Sequence, residues 1–155
     1  VQLMAKEFVN AKGSMFLGRG SSFPIALEGA LKLKELSYLH AEGYPAGEMK
    51  HGPLALIEEG LPVIVIAPKD KYFEKTISNM QEVIARGGKI LFITDNKKDS
   101  LNENIRFGLR IPHIDSLLSP ILLTLPLQIL AYHVALLKNC DVDKPRNLAK
   151  SVTVE

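Results

Sequence analysis

The run Pro62-Val63-Ile64-Val65-Ile66-Ala67 is the feature that most constrains how this chain can fold. Its branched apolar residues follow one another without the polar alternation of a half-exposed strand. We therefore predict a strand that is buried on both faces. Such strands are typical of parallel sheets that carry helices on each side, so we expect an α/β fold.

Strand-like and helix-like segments alternate along the rest of the chain. Besides the run above, three segments are expected to be strands: 15–17, 89–94 and, more weakly, 106–111. Three segments with helical spacing are expected to be helices: from Ser21 or Ser22 to about 38, 73–84, and about 120–138. Residues 40–51 are punctuated by glycine and proline and are expected to be irregular. This alternation predicts a parallel sheet covered by helices on both faces.

The last predicted helix is nearly all apolar and could be mistaken for a membrane span. It contains Pro126, Gln128 and His133 and barely reaches the roughly 20 residues that a span needs. We therefore expect a buried helix and no membrane. The 19 Lys and Arg residues against 17 Asp and Glu leave no large basic field, which argues against nucleic acid as a partner. The single cysteine, Cys140, excludes a disulfide framework and fits a reducing, cytoplasmic setting.

The helix predicted after Ser21 or Ser22 carries a narrow strip of alternating charge. At roughly 100° per residue, Glu28, Lys32 and Glu35 fall within about one sixth of its circumference. Apolar side chains occupy most of the remainder. One interpretation is a set of ion pairs at i,i+3 and i,i+4 spacing. The other is a carboxylate beside a lysine in apolar surroundings, suited to act as a general base.

Two other segments are weaker candidates for a site. The turn Gly18–Ser22 lies between a strand and a helix N-terminus and could hold a phosphate, although such turns are also rich in glycine for steric reasons. His51 follows charged residues and precedes Gly52-Pro53, so it is either an exposed or structural loop residue or an acid–base group. No spacing of His, Cys, Asp or Glu resembles a metal site, and we expect neither metal nor cofactor.

Three runs closely resemble the glucosamine-6-phosphate synthase family: LEGALKLKE at 27–35, GEMKHGPLAL at 47–56 and PRNLAKSVTVE at 145–155. The resemblance extends over essentially the whole chain and corresponds to the second of the family's two sugar isomerase (SIS) domains. It implies a doubly wound, flavodoxin-like fold with a five-stranded parallel sheet flanked by helices. It also implies that the SIS domain occupies residues 1–140 and that 141–155 form a C-terminal tail.

The resemblance implies an isomerising aminotransferase that converts fructose 6-phosphate and glutamine to glucosamine 6-phosphate and glutamate. Glu35 matches the base that moves a proton between C1 and C2 of the imine, and Lys32 matches a lysine that assists it. His51 matches a ring-opening histidine that reaches the sugar of the neighbouring subunit. Lys150 in the tail matches the lysine that forms a Schiff base with the open-chain ketose.

Substrate contacts and partners are implied in the same way. Glu28 on the charged strip and Ala149 beside Lys150 are expected to bind substrate. The family's phosphate-binding loop belongs to its first SIS domain, so the Gly18–Ser22 turn is expected to be structural. An N-terminal glutaminase domain releases ammonia, and the active protein is expected to be a homodimer. The 155-residue chain alone is therefore expected to be inactive.

A second function from another class is a non-catalytic SIS module that senses a sugar phosphate. A sensor needs no base, ring-opening histidine or Schiff-base lysine. Because Glu35, His51 and Lys150 all match such residues, the resemblance favours the enzyme.

Overall fold

The computed structural model describes residues 1–96 and 105–148. Its strands are β1 (Ser14–Gly18), β2 (Ala41–Pro45), β3 (Pro62–Ile66), β4 (Lys89–Thr94) and β5 (Ile105–Arg110). The helices of the described residues are α1 (Gln2–Ala5), α2 (Ser22–Ser37), α3 (Phe73–Ile84) and α4 (Ser119–Leu137). Short 3₁₀ turns occupy Lys6–Phe8, Ala46–His51 and Pro53–Leu56. The strands form one sheet in the order β2-β1-β3-β4-β5, and every neighbouring pair is parallel, which confirms the doubly wound five-stranded fold.

Side chains that alternate along the strands divide the core into two layers. Phe16 and Ile64 contribute to the layer under α2 and α4. Met15 and Val63 contribute to the opposite layer, which α3 and the 3₁₀ turn Ala46–His51 cover. Because successive residues of a strand point to opposite faces, a continuous apolar run must be covered on both. All five residues of β3 are buried, as the sequence predicted.

A glycine allows α2 to lie close to both the sheet and α4. A Cβ added at Gly29 would meet Leu127 at 2.8 Å and Phe16 at 2.9 Å. The helix ends at Tyr38, whose φ of 57° is left-handed and whose N–H bonds to the carbonyl of Lys34. This close packing fixes the direction in which the charged strip of α2 faces.

The expectation that residues 40–51 are irregular is wrong. Ala41–Pro45 pair with β1 as an edge strand, and Ala46–His51 form a 3₁₀ turn. The composition of β2 is unusual for a strand, but its place at the edge of the sheet explains each exception. A Cβ at Gly43 would lie 2.9 Å from the Leu27 backbone, so only glycine lets α2 pack this closely on β2. Pro45 is the last residue of the strand, where the missing N–H is tolerated.

The long apolar helix is present as α4, but only one of its faces is buried. Leu127 and Val134 lie in the core, whereas Leu125 and Ile129 remain 47% and 46% exposed. The expectation of a buried helix therefore holds for the inner face and is wrong for the outer face. Among the described residues, α4 is the one helix long and apolar enough to cross a membrane, a test that core helices of soluble proteins also pass.

Candidate functional site

The charged strip of α2 forms a chain of ion pairs. Lys32 Nζ lies 2.7 Å from Glu35 Oε2 and 3.8 Å from Glu28 Oε1. The side chains of Lys32, Glu35 and Glu28 are 30%, 29% and 37% exposed. The predicted ion pairing is confirmed, but the three groups face an open surface and are not a buried structural pair.

The contact between Lys32 and Glu35 sets the charge of the lysine. Lys32 donates to Glu35, and this hydrogen bond, against the opposing effect of burial, raises the pKa of Lys32 above its ordinary value of 10.5. Lys32 is therefore an ammonium group at neutral pH. It holds the Glu35 side chain against the surface of α2, where a carboxylate can accept a proton from a bound carbon acid.

His51 lies at the opposite edge of the sheet from Glu35. Glu35 occupies the last turns of α2, just before β2 begins, whereas His51 follows the carboxyl end of β2. The strand alone spans roughly 13 Å at about 3.3 Å per residue. The His51 side chain is 74% exposed, with Nε2 3.8 Å from Glu48 Oε2. Glu35 and His51 are thus separated in sequence by the whole of β2.

The described part of the tail contacts the end of α2 that carries the strip. Tyr38 Oη accepts a hydrogen bond of 2.9 Å from the backbone N–H of Arg146, and the Arg146 guanidinium lies 4.1 Å from the centre of the Tyr38 ring. Tyr38 follows Glu35 by three residues. Ala149 and Lys150, the two candidate residues of the tail, lie outside the described residues.

A cleft that no sequence pattern predicted lies at the carboxyl edge of the sheet, with a volume of about 560 Å³. Asp95 directly follows β4, accepts the backbone N–H of Lys69 at 2.6 Å, and lies 2.6 Å from His113 Nδ1. The side chain of Asp95 is 5% exposed and that of His113 60%. The sequence feature that could have indicated this cleft is a carboxylate directly after a buried strand, because open α/β sheets bind ligands at this edge.

The Gly18–Ser22 turn borders this cleft through Ser21. The ring of Tyr72 packs over Gly20, where an added Cβ would lie 2.6 Å from it. Among the described residues, the ionisable side chains that line the cleft are those of Lys69, Asp70, Asp95, His113 and Asp115.

Comparisons with known proteins agree with the fold. The SIS domain family model matches residues 7–138. The chain is 58% identical over 156 residues to the glutamine–fructose-6-phosphate aminotransferase (isomerizing) of Agrobacterium fabrum, covering 100% of this chain and 26% of the relative. It is 61% identical over 142 residues to the protein of that name from Brucella suis, covering 91% and 23%. The chain thus spans about a quarter of the length of these relatives.

Comparison with solved structures identifies the same fold. The C-terminal domain of glucosamine-fructose-6-phosphate aminotransferase from Francisella tularensis aligns with a TM-score of 0.88 and 46% identity, over 92% of this chain and 40% of that one. Glucosamine-6-phosphate deaminase from Thermotoga maritima aligns with a TM-score of 0.71 and 27% identity, over 97% and 45%. Both match the chain over nearly its whole length.

Proposed function

This chain belongs to the SIS domain family, and from that premise we propose that it supplies the C-terminal half of the isomerase part of a glutamine–fructose-6-phosphate aminotransferase. The complete enzyme converts fructose 6-phosphate and glutamine to glucosamine 6-phosphate and glutamate. The observation that carries the proposal is the Lys32–Glu35 pair on the open face of α2, within one helical turn of the docked tail.

Glu35 is the base of the isomerisation. In the open-chain imine, C2 carries the nitrogen and C1 carries the hydrogen to be moved. Glu35 removes a proton from C1, and a proton is then delivered to C2, while the hydroxyl proton on O1 moves to nitrogen. The result is an aldehyde at C1 and an amine at C2, which is the amino sugar. Lys32 remains an ammonium and orients the carboxylate, and Glu28 beside it contributes to substrate binding.

Lys150 forms the imine that precedes this step. Its neutral amine adds to the C2 carbonyl of the open-chain ketose, and water leaves. Ammonia then adds to C2 and the Lys150 amine leaves, which gives the imine on which Glu35 acts and frees the lysine. Ala149 lies beside it in sequence and contacts the same substrate. The SIS domain occupies residues 1–140, and residues 141–155 form the tail that carries this lysine to the site.

His51 opens the sugar ring of a neighbouring subunit. Its position at the edge of the sheet opposite to Glu35, and its 74% exposure, support a contribution to another copy's site. The active protein is accordingly a cytoplasmic homodimer. A first SIS domain holds the phosphate and a glutaminase domain supplies ammonia, so this chain alone does not turn over.

The test uses the complete protein that the gene encodes, incubated with fructose 6-phosphate and glutamine. We expect glucosamine 6-phosphate to form in the wild type and in Glu74→Gln, a control on the exposed start of α3. Glu35→Gln should form little or none. If the wild type binds fructose 6-phosphate but forms no amino sugar, the result would contradict the proposed enzymatic activity and indicate a sensor.

A further inference from the structure

The 3₁₀ turn Ala46–His51, which ends in the proposed ring-opening histidine, is held against α3. Met49 is fully buried and packs in the core layer that α3 covers. Lys50 Nζ lies 3.0 Å from Glu82 Oε1 on α3, and the Glu82 side chain is only 22% exposed. A carboxylate that is partly shielded from water attracts a cation more strongly than an exposed one. The second half of the turn is therefore fixed relative to α3.

The first half of the turn is held by Arg19 and Asn79. The Arg19 guanidinium occupies the place that a side chain at Gly47 would take, because a Cβ added there would lie 2.8 Å from Arg19 Nη1. The same guanidinium lies 5.8 Å from the centre of the Tyr72 ring, at the start of α3. The buried Asn79 amide on α3, oriented with its nitrogen toward the carbonyl of Ala46, donates to it at 3.2 Å.

From these contacts we infer that Arg19, Asn79 and Glu82 are positioning residues for His51. They fix the turn from which His51 projects toward the site of a neighbouring subunit. The inference rests on the function proposed above, in which His51 opens the sugar ring. It also gives the Gly18–Ser22 turn, which carries Arg19 directly after β1, a role other than phosphate binding.

Ring opening requires an acid–base group that is held in one place. Cyclic fructose 6-phosphate carries a hydroxyl and the ring oxygen O5 on C2. Opening removes the proton of that hydroxyl, breaks the bond between C2 and O5 and places a proton on O5, which leaves a ketone at C2. The His51 side chain is mostly exposed, so the turn beneath it supplies its support within this chain. A displacement of about 1 Å can cost about 100-fold in rate.

The test compares two substrates in the complete protein with glutamine present. Fructose 6-phosphate closes its ring through the C5 hydroxyl, whereas 5-deoxyfructose 6-phosphate lacks that hydroxyl and stays open. The analogue therefore needs every step except ring opening. Amino sugar formed from each substrate is measured by mass spectrometry. The wild type should convert both, and His51→Ala should slow fructose 6-phosphate alone by about 10²–10⁴-fold.

The positioning variants should show the same selectivity. We expect Arg19→Met and Glu82→Gln to slow fructose 6-phosphate by about 10- to 100-fold and to leave the analogue unchanged. Lys50→Met replaces an exposed residue and should act in the same way, even if Arg19→Met lowers the thermal midpoint. Lys71→Met is the matched control, because Lys71 is exposed and lies 5.0 Å from the centre of the same Tyr72 ring. Its rates should equal those of the wild type.

A double variant separates positioning from a general loss of structure. If Arg19 acts only through His51, then Arg19→Met combined with His51→Ala should be no slower with fructose 6-phosphate than His51→Ala alone. This comparison does not use the analogue, so it decides the question even if the wild type does not convert 5-deoxyfructose 6-phosphate.

The outcomes distinguish the two proposals. Equal slowing of both substrates by Arg19→Met, or a further loss in the double variant, would overturn positioning and leave the proposed function standing. Wild-type rates in Arg19→Met and Lys50→Met would do the same. A wild-type rate of His51→Ala with fructose 6-phosphate would overturn the ring-opening role, and positioning with it. A wild type that forms no amino sugar would overturn the proposed function itself.

Discussion

Lys32 donates a hydrogen bond of 2.7 Å to Glu35, which lies three residues farther along the same helix face. The pair places an ammonium beside the proposed base. We expect Lys32→Met to lower turnover of the complete protein roughly tenfold, since a hydrogen bond to a charged group contributes about 1.5 kcal/mol. Lys32→Arg keeps the charge and should lose less. Steady-state rates at saturating substrate measure both.

The pH dependence of this pair has a definite direction. Because the hydrogen bond to Glu35 raises the pKa of Lys32 above 10.5, the stabilisation by the charged pair is fully present below pH 10.5 and is lost as pH rises through the raised pKa. The difference in turnover between wild type and Lys32→Met should therefore persist across neutral and mildly alkaline pH. A difference that vanished near neutrality would show that Lys32 is not the protonated partner of Glu35.

Glu7 links the strands β4 and β5 at their amino ends. Its carboxylate lies 3.1 Å from Lys89 Nζ and 3.2 Å from Arg106 Nε, and its side chain is 13% exposed. Burial raises the pKa of Glu7, but the hydrogen bonds from Lys89 and Arg106 outweigh it and hold the pKa below 4.5. We expect Glu7→Gln to lower the free energy of unfolding of this chain by about 1–2 kcal/mol at neutral pH.

Acid should remove the effect of that substitution. A lowered pKa stabilises the folded state above pH 4.5, and the stabilisation is lost as pH falls through the folded-state value. Urea unfolding at neutral pH and at about pH 3 should show the gap between Glu7→Gln and wild type closing. The control Glu74→Gln on α3 should differ from wild type by less than about 0.5 kcal/mol at either pH. An unchanged gap in acid would contradict the role of the charged carboxylate.

Gly29 sets the distance between α2, β1 and α4. An added Cβ would meet Leu127 at 2.8 Å and Phe16 at 2.9 Å, so Gly29→Val should cost about 1–3 kcal/mol through overpacking. Leu31→Val also introduces a β-branched residue into α2, but at a position that is 42% exposed, and should cost much less. Urea unfolding of the two variants compares them directly. Because valine has a higher helix propensity than glycine, a loss at Gly29 must come from packing. A Gly29→Val variant that loses no more stability than Leu31→Val would contradict the close contact.

His51 is proposed to act in the site of another subunit. We expect His51→Ala and Glu35→Gln to be nearly inactive separately in the complete protein. When the two are mixed and exchange subunits, half of the sites in a mixed dimer lack both defects if His51 acts across the interface. Recovered turnover is then expected. Subunit exchange can be verified with mass-tagged subunits. If exchange occurs and turnover is not recovered, His51 acts within its own subunit or has no role in the reaction.

The sequence predicted the layers of this fold well, because burial on both faces leaves a plain pattern. The continuous apolar run of β3 and the helical spacing of α3 need no tertiary information. β2 was missed because its Gly43 and Pro45 disfavour a strand in general but fit an edge strand that α2 approaches closely. The resemblance, and not the residue pattern, supplied the fifth strand.

The site was predictable only where its residues are neighbours on one helix. The spacing of Lys32 and Glu35 predicted their contact directly. Asp95 and His113 meet because the ends of β4 and β5 lie at one edge of the sheet, and their separation of 18 residues carries no periodic signal. The contact of Arg146 with Tyr38 likewise depends on the path of the tail back to α2. The outer face of α4 was expected to be buried because an apolar helix has no pattern that marks an exposed side.

Transfer of the C1 hydrogen tests the central claim most directly. The complete protein would be given glutamine and fructose 6-phosphate carrying deuterium at C1, and C1 and C2 of the product would be followed by NMR. We expect deuterium to leave C1 and to appear at C2 or in solvent in the wild type and in Glu74→Gln. Glu35→Gln should slow this transfer by about 10²–10⁴-fold while the fold survives, the usual range for removing a general base. Transfer at the wild-type rate in folded Glu35→Gln would contradict the account and reduce Glu35 to an ion-pair partner of Lys32.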